Sequence, residues 1–135
     1  MNLNISHLTF IVKDLDRATL FFTKIFEAKE IYSSRSNTFS ISKEKFFLIN
    51  NIWVCIMEGS SLSERTYNHV AFHINENDFN QYLLRIKEVG AEIKPERTRV
   101  TGEGRSIYFY AFDNHLFELH TGTLSERLSC YAEHY

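Results

Sequence analysis

Two histidines and one glutamate of this 135-residue chain form a set that could bind a divalent metal ion. His7 and His69 begin two strand-like segments, "HLTFIV" and "HVAFHI", and Glu118 lies in a third, "LFELH". Neutral imidazole nitrogen and carboxylate oxygen suit Mn, Fe, Ni or Zn, and three protein ligands leave coordination positions open for water or substrate. A lone histidine on a strand is more often structural, so the metal hypothesis depends on what brings these three residues together.

An internal repeat places the two histidines at equivalent positions. The segment "HLTFIVKDLDRATLFFTKIFEAKEIY" from His7 aligns with "HVAFHINENDFNQYLLRIKEVGAEI" from His69 at an offset of 69 − 7 = 62. Each copy is typical of a strand, an acidic turn, an amphipathic helix and further strands. The segments "VCIMEG" and "FELHTG" align at an offset of 63, which places Glu118 at the position of Cys55. The repeat therefore predicts two symmetric histidines and one carboxylate without a symmetric counterpart.

The repeat predicts an α+β fold of two paired βαβββ modules within a single domain, residues 1–135. The modules span residues 5–59 and 67–122, and a short C-terminal helix follows at residues 123–133. In the first module, the three later strands are expected around residues 31–32, 39–41 and 46–57. One module alone buries too little apolar surface, so we expect the two to join in a curved mixed sheet with helices outside and a cleft inside.

Strand alternation predicts which side chains face this cleft. Leu8, Phe10 and Val12 should pack against a helix, which leaves His7 and Thr9 on the opposite face. The same rule turns a set of polar and aromatic side chains toward the cleft: Trp53, Cys55, Tyr67, His69, Ser106, Tyr108, Tyr110, Glu118 and His120. This set is too polar for an ordinary core.

Two further histidines on these strands compete for a role. His73 is a rival metal ligand on the strand of His69. His120 lies two residues beyond Glu118 on the same face, so it could support the metal ligand or contact a substrate. The sequence alone leaves this choice open.

Composition argues against several classes of partner. Fifteen Lys and Arg residues against seventeen Asp and Glu give a net charge of −2 without a basic stripe, so no nucleic-acid partner is expected. No apolar run approaches the roughly 18 residues of a membrane span. The first ten residues, "MNLNISHLTF", lack the basic start and apolar run of a secretory signal, and two cysteines without metal-site spacing fit a reducing compartment. We therefore expect a cytoplasmic location.

The motifs "SHLTFIVKDL", "YNHVAF", "SKEKFFLI", "CIMEG", "IKPER" and "RSIYFYAFDNHLFELHTGTLSERL" cover nearly the whole chain. With them the sequence resembles the vicinal oxygen chelate (glyoxalase/bleomycin resistance) superfamily and, within it, the fosfomycin resistance proteins of the FosX type. The resemblance implies a homodimer of domain-swapped type with metal sites between modules of different chains. It implies Mn(II) bound by His69, Glu118 and the partner subunit's His7.

The same resemblance implies a metal-dependent hydrolase that adds water to the epoxide of the phosphonate antibiotic fosfomycin and gives an inactive vicinal diol. It assigns the general base to Glu44, which the flanking lysines alone would place in a solvated charged turn. The substrate contacts that it implies are Thr9, Tyr67, Arg99, Ser106, Tyr108 and Arg127. Arg99 is our choice among several cations of the loop "IKPERTRVTGEGRS".

Three other functions stay open at this point. A thiol transferase on the same scaffold would add glutathione, bacillithiol or cysteine to fosfomycin instead of water. An Fe(II) ring-cleaving dioxygenase uses the same ligand set, although its members are usually much longer. A non-catalytic antibiotic-binding module would generally lack the three metal ligands.

Overall fold

A computed structural model describes residues 1–134 of the chain, and the chain divides into two compact units. The first unit contains Met1–Arg65 and Ala111–His115. The second contains Thr66–Tyr110 and the chain from Leu116 onward. Each unit has its own four-stranded sheet.

The first unit follows the order strand, helix, strand, strand, strand. Its elements are β1 (His7–Val12), α1 (Leu15–Phe26), β2 (Lys29–Ser33), β3 (Glu44–Ile49) and β4 (Ile52–Glu58). The strands lie in the order β1-β4-β3-β2, with β1 parallel to β4 and the other pairs antiparallel. The crossover between parallel strands explains why a helix must cover one face of the sheet.

Helix α1 packs one apolar face on this sheet. Asp14 caps its start by accepting the Arg17 N–H at 3.0 Å. The rings of Phe10 and Phe47, from β1 and β3, each lie 6.0 Å from the Phe22 ring. The helix residues buried at helical spacing are Ala18, Phe21, Phe22, Ile25 and Phe26. The opposite face of the sheet is thus left for the predicted site residues.

The second unit repeats this arrangement. Its elements are β5 (His69–His73), a 3-10 turn (Glu76–Asp78), α2 (Phe79–Val89), β6 (Glu92–Lys94), β7 (Ser106–Tyr110), β8 (Leu116–His120) and α3 (Leu124–Ala132). The strand order is β5-β8-β7-β6, with β5 parallel to β8. Among residues 1–134 no helix has the length and apolar character of a membrane span.

The predicted α+β class and the two βαβββ modules are confirmed, whereas one of the expected strands is wrong. Phe39 and Ile41 alternate with serines, but both are largely exposed in the bend before β3, where no neighbouring strand pairs with them. The single strand expected at 46–57 is two strands, separated by a turn at Asn50 with φ of 54°.

Strand register confirms the alignment of the two repeats. Thr9 on β1 pairs with Cys55 on β4, and Ala71 on β5 pairs with Glu118 on β8. Cys55 and Glu118 therefore occupy equivalent places in the two sheets. A carboxylate on a central strand stands where the other unit carries a thiol.

Candidate metal centre and active site

His69 and Glu118 form the centre of the candidate metal site in the second unit. Nε2 of His69 lies 3.0 Å from Oε1 of Glu118, across β5 and β8. Nδ1 of His69 lies 2.7 Å from the carbonyl oxygen of Tyr67. Because a carbonyl can only accept, Nδ1 carries a proton, and in a neutral ring the Nε2 lone pair then faces a carboxylate oxygen. Two acceptors this close are bridged either by a proton on Nε2 or by a metal cation. A ring N–H bound to a carbonyl is how proteins orient metal-binding histidines, so this pair fits a divalent metal.

Glu118 is held in its charged form by its neighbours. Its side chain is almost wholly buried on β8. Oε2 accepts the hydroxyl of Ser106 at 2.5 Å and Nη2 of Arg99 at 3.4 Å. Burial acts to raise the pKa of this carboxyl, but the Ser106 hydrogen bond and the positive charge of Arg99 are among the interactions that lower it overall. An ionised carboxylate is the form that a metal ligand requires.

A directed hydrogen-bond chain leads from α3 to Glu118. Nη2 of Arg127 lies 3.2 Å from Nε2 of His120, and Nδ1 of His120 lies 2.7 Å from Oγ of Ser106. Since arginine can only donate, His120 accepts at Nε2 and donates from Nδ1 to Ser106, whose own proton goes to Glu118. Burial, together with the charge of Arg127 and against the attraction of Glu118, lowers the pKa of His120 and favours this neutral ring. His120 therefore supports the Ser106 and Glu118 pair.

Hydroxyl and guanidinium donors lie beside this carboxylate. The Tyr67 hydroxyl donates to Tyr108 Oη at 3.0 Å, and Arg99 Nη2 donates to the same oxygen at 3.3 Å. Burial, with the Tyr67 hydrogen bond and the charge of Glu118, raises the pKa of Tyr108 to about 12. The phenol keeps its proton at neutral pH and is a donor for an anion.

Sequence reasoning missed Glu103, which the structure places at the centre of the loop cations. Its side chain is fully buried and accepts from Arg97, Arg99 and Tyr131 and from the Val100 N–H. The only signal in the sequence is a carboxylate between two glycines, in "GEGRS", downstream of two arginines. That pattern is equally typical of an exposed turn.

The first unit carries the other predicted site residues on one face of its sheet. His7 is exposed at the start of β1, with its ring 4.1 Å from the Trp53 ring. Thr9 is also exposed and pairs with Cys55, whose thiol lies 3.7 Å from Oε1 of Glu44. His7, Thr9 and Glu44 thus share the face that α1 leaves open.

Glu44 is buried, contrary to the solvated turn that the flanking lysines suggest. It is the first residue of β3, and its N–H donates to Ser34 Oγ at 2.9 Å. Its register corresponds to that of Ser106 in the second unit. Burial, together with the charge of Glu44, raises the pKa of the Cys55 thiol to about 11, so Cys55 stays protonated and donates to the carboxylate. The β-pleat sends Lys45 to the other face, where it pairs with Glu30 at 2.9 Å.

The structure therefore divides the predicted residues between the two units. The first unit holds His7, Thr9 and Glu44. The second holds Tyr67, His69, Arg99, Ser106, Tyr108, Glu118 and Arg127. Within residues 1–134, no three His, Cys, Asp or Glu side chains come together as a metal site. The His69 and Glu118 pair needs a further ligand to reach the predicted three.

Comparisons with known proteins find relatives along nearly the whole chain. The family model of the glyoxalase/bleomycin resistance protein/dioxygenase superfamily matches residues 4–119. Fosfomycin resistance protein FosX of Listeria monocytogenes is 65% identical over 129 residues, which cover 96% of this chain and 97% of that protein. Metallothiol transferase FosB of Shouchella clausii is 36% identical over 134 residues, with 96% and 87% covered.

A solved structure of a relative is also similar to this chain in three dimensions. It is a mutant of FosX from Listeria monocytogenes, complexed with Mn(II) and 1S,2S-dihydroxypropylphosphonic acid. Its TM-score is 0.89 at 61% identity, covering 97% of this chain and 99% of that one. The two chains therefore share their fold over almost their full lengths.

Proposed function

Because this chain belongs to the glyoxalase/bleomycin resistance protein/dioxygenase superfamily and, within it, to the FosX-type fosfomycin resistance proteins, we propose that it is a Mn(II)-dependent epoxide hydrolase that adds water to fosfomycin. The observation that carries this proposal is the convergence of His69 Nε2 and Glu118 Oε1, 3.0 Å apart, beside a set of anion donors. The relative solved with Mn(II) also holds a diol phosphonate, which has the composition of fosfomycin plus water. Hydration of the epoxide is the reaction that connects the two.

Three residues would hold the metal: His69, Glu118 and the partner subunit's His7. Bound there, Mn(II) supplies Lewis-acid stabilisation for the oxyanion that develops as the epoxide C–O bond breaks. The exposed His7 at the start of β1 is free of the helix-packed face, so its ring is accessible to a second subunit. We propose accordingly that the domain of residues 1–135 works as a homodimer in the cytoplasm.

Glu44 would act as the general base. Its carboxylate takes a proton from water as the water oxygen attacks an epoxide carbon, the C–O bond breaks, and the released oxygen takes up a proton to complete the diol. The Cys55 thiol is a weak donor, so it orients Glu44 while leaving the carboxylate able to accept that proton. Burial of Glu44 limits its motion and its contact with bulk water.

The cationic and hydroxyl side chains would bind the phosphonate, since a dianion is recognised best by charge-assisted hydrogen bonds. Arg99 and Tyr108 already converge near Glu118, where a substrate must lie to meet the metal. The remaining contacts are assigned to Thr9, Tyr67, Ser106 and Arg127. Of these, Ser106 and Arg127 also belong to the hydrogen-bond chain that supports Glu118.

The decisive experiment identifies the product and the origin of its new oxygen. Purified protein with Mn(II) is incubated with fosfomycin in ¹⁸O-labelled water, with and without a mixture of glutathione, bacillithiol and cysteine, and the products are analysed by mass spectrometry. We expect a diol with one labelled oxygen, in equal yield with and without thiols. A thiol adduct would instead establish the transferase reaction, and unchanged fosfomycin would contradict both activities.

A further inference from the structure

Glu103 is a fully buried carboxylate that the proposed reaction does not use. It lies between β6 and β7 and is 0% exposed. The glycine after it, Gly104, has φ of 97° and comes so close to Gly122 that a Cβ would lie 2.9 Å from the Gly122 nitrogen. Charged side chains are rarely buried completely unless they are paired. The backbone next to Glu103 is therefore closely packed, and the protein encloses the carboxylate completely.

Both oxygens of Glu103 accept hydrogen bonds. Oε1 accepts from Arg97 Nη2, from Arg99 Nη1 at 3.3 Å and from the Tyr131 hydroxyl at 2.7 Å, and Oε2 accepts the Val100 N–H at 2.9 Å. Burial acts to raise the pKa of Glu103, but these hydrogen bonds and the charge of Arg97 lower it to about 2. The carboxylate is therefore charged at neutral pH and holds the two arginines by charge-assisted bonds.

The Arg99 guanidinium joins Glu103 to the candidate site. While Nη1 binds Glu103, Nη2 lies 3.3 Å from Tyr108 Oη and 3.4 Å from Glu118 Oε2. A guanidinium is a rigid planar fork, so fixing one of its nitrogens fixes the other. We propose that Glu103 is a positioning residue that holds Arg99 beside Glu118 and thereby sets the affinity of the site for the phosphonate group. This inference rests on the proposed function.

Glu103 also connects α3 to the same loop. Tyr131, near the end of α3, donates to Glu103, and Nε of Arg127 lies 3.9 Å from Glu103 Oε1. Arg127 in turn donates to His120. One buried carboxylate thus contacts both arginines that are assigned to the phosphonate.

The test replaces the charge of Glu103 with minimal change of shape. In Glu103→Gln we expect kcat/KM for fosfomycin to fall on the order of 100-fold, mainly through a higher KM, because small misplacements of a binding group carry costs of that size. The dissociation constant of 1S,2S-dihydroxypropylphosphonic acid, titrated into Mn(II)-loaded protein, should rise in parallel. The affinity for Mn(II) alone should change little. Glu88→Gln, which removes an exposed carboxylate from α2, is the matched control and should leave all three unchanged.

A double-mutant comparison separates positioning from a purely structural role. If Glu103 acts mainly through Arg99, then Glu103→Gln should cost much less phosphonate affinity in the Arg99→Ala background than in the wild type, with only the contact to Arg127 left to lose, although it lowers Tm further. Additive losses of affinity would overturn the inference. Tyr131→Phe removes one donor to Glu103 and should weaken phosphonate binding to a smaller degree. If Glu103→Gln does not fold, Tyr131→Phe replaces it in the double-mutant comparison with Arg99→Ala.

The two proposals fail in different ways. Wild-type protein that neither hydrates fosfomycin nor binds the diol phosphonate contradicts the proposed function. Wild-type protein that does both, while Glu103→Gln behaves like Glu88→Gln, overturns only the role of Glu103.

Discussion

The carboxylate of Glu118 depends on one hydroxyl for its orientation. Ser106→Ala removes the 2.5 Å hydrogen bond to Oε2 and leaves the Nδ1–H of His120 without its acceptor. Because hydrogen bonds to a metal ligand typically contribute 10- to 100-fold in metal affinity, we expect the Mn(II) dissociation constant to rise by about that factor. Electron paramagnetic resonance titration of free Mn(II) measures it. Ser106→Thr keeps the hydroxyl and should bind Mn(II) nearly as well; equal affinity in the alanine variant would refute this dependence.

The assignment of Glu44 as general base predicts a loss of turnover without a loss of metal. In Glu44→Gln the amide cannot take a proton from water, so kcat should fall by roughly 10²- to 10⁴-fold while Mn(II) affinity stays nearly constant. Glu44→Gly should behave in the same way. Glu30→Gln is the matched control, because Glu30 lies in the same unit and pairs with Lys45 on the surface. Hydration that survives in either Glu44 variant would show that another group is the base.

The loop between β6 and β7 is joined to α3 by the Glu103 carboxylate, which accepts the Tyr131 hydroxyl. This carboxylate should contribute less to stability at acidic pH. The pKa of Glu103 is about 2 in the folded protein against an ordinary value of about 4.5. Since the folded pKa is the lower one, its contribution to stability is complete above about pH 4.5 and is lost as the pH falls toward 2. We therefore expect the urea midpoints of wild type and Glu103→Gln to differ at pH 6 and to converge below pH 4.5. A constant difference down to pH 3 would contradict this.

The backbone of Glu103, before β7, lies very close to Gly122, after β8, and this contact predicts a contrast between two glycines. A Cβ on Gly122 would lie 2.7 Å from the Glu103 carbonyl oxygen and 2.8 Å from Nε2 of His120, so Gly122→Ala should displace both and lower kcat/KM as well as Tm. Gly90 ends α2 at φ of 82° with nothing near its Cβ position. Gly90→Ala should cost about 1 kcal/mol of stability but leave kcat/KM unchanged. Thermal unfolding and steady-state kinetics of both variants test the contrast.

Elements with a regular pattern could be predicted from the sequence, whereas loops and their partners could not. Alternation and helical spacing gave β1, α1, β5, α2 and β8, and the repeat gave the equivalence of Cys55 and Glu118. The prediction of a strand at residues 39–41 was wrong because alternation of apolar and polar residues does not reveal whether a neighbouring strand is there to pair with them. The burial of Glu103 involves Tyr131, which lies 28 residues away in the chain, and the sequence around Glu103 does not predict that contact.

At the scale of the whole molecule, the division of the site residues between the two units determines which subunit of the predicted dimer supplies each residue. His7 and Glu44 lie on one sheet face of the first unit, and His69 and Glu118 lie in the second. If the partner supplies a ligand, that same partner unit carries the base as well. Each site of a homodimer would then need both subunits, and two-fold symmetry would give two such sites.

Complementation between inactive variants tests this arrangement directly. His7→Ala and Glu118→Ala should each be inactive and bind Mn(II) poorly, because each removes a ligand from both sites. When the two are mixed and allowed to exchange subunits, a heterodimer combines the intact His7 of one chain with the intact Glu118 of the other. A 1:1 mixture should recover about a quarter of wild-type activity, since about half of the dimers are mixed and each has one intact site. A mixture of Glu44→Gln with Glu118→Ala should recover the same fraction, whereas His7→Ala with Glu44→Gln should recover none. Site ligands supplied within a single chain would leave the first two mixtures inactive as well, provided that exchange is verified by native mass spectrometry.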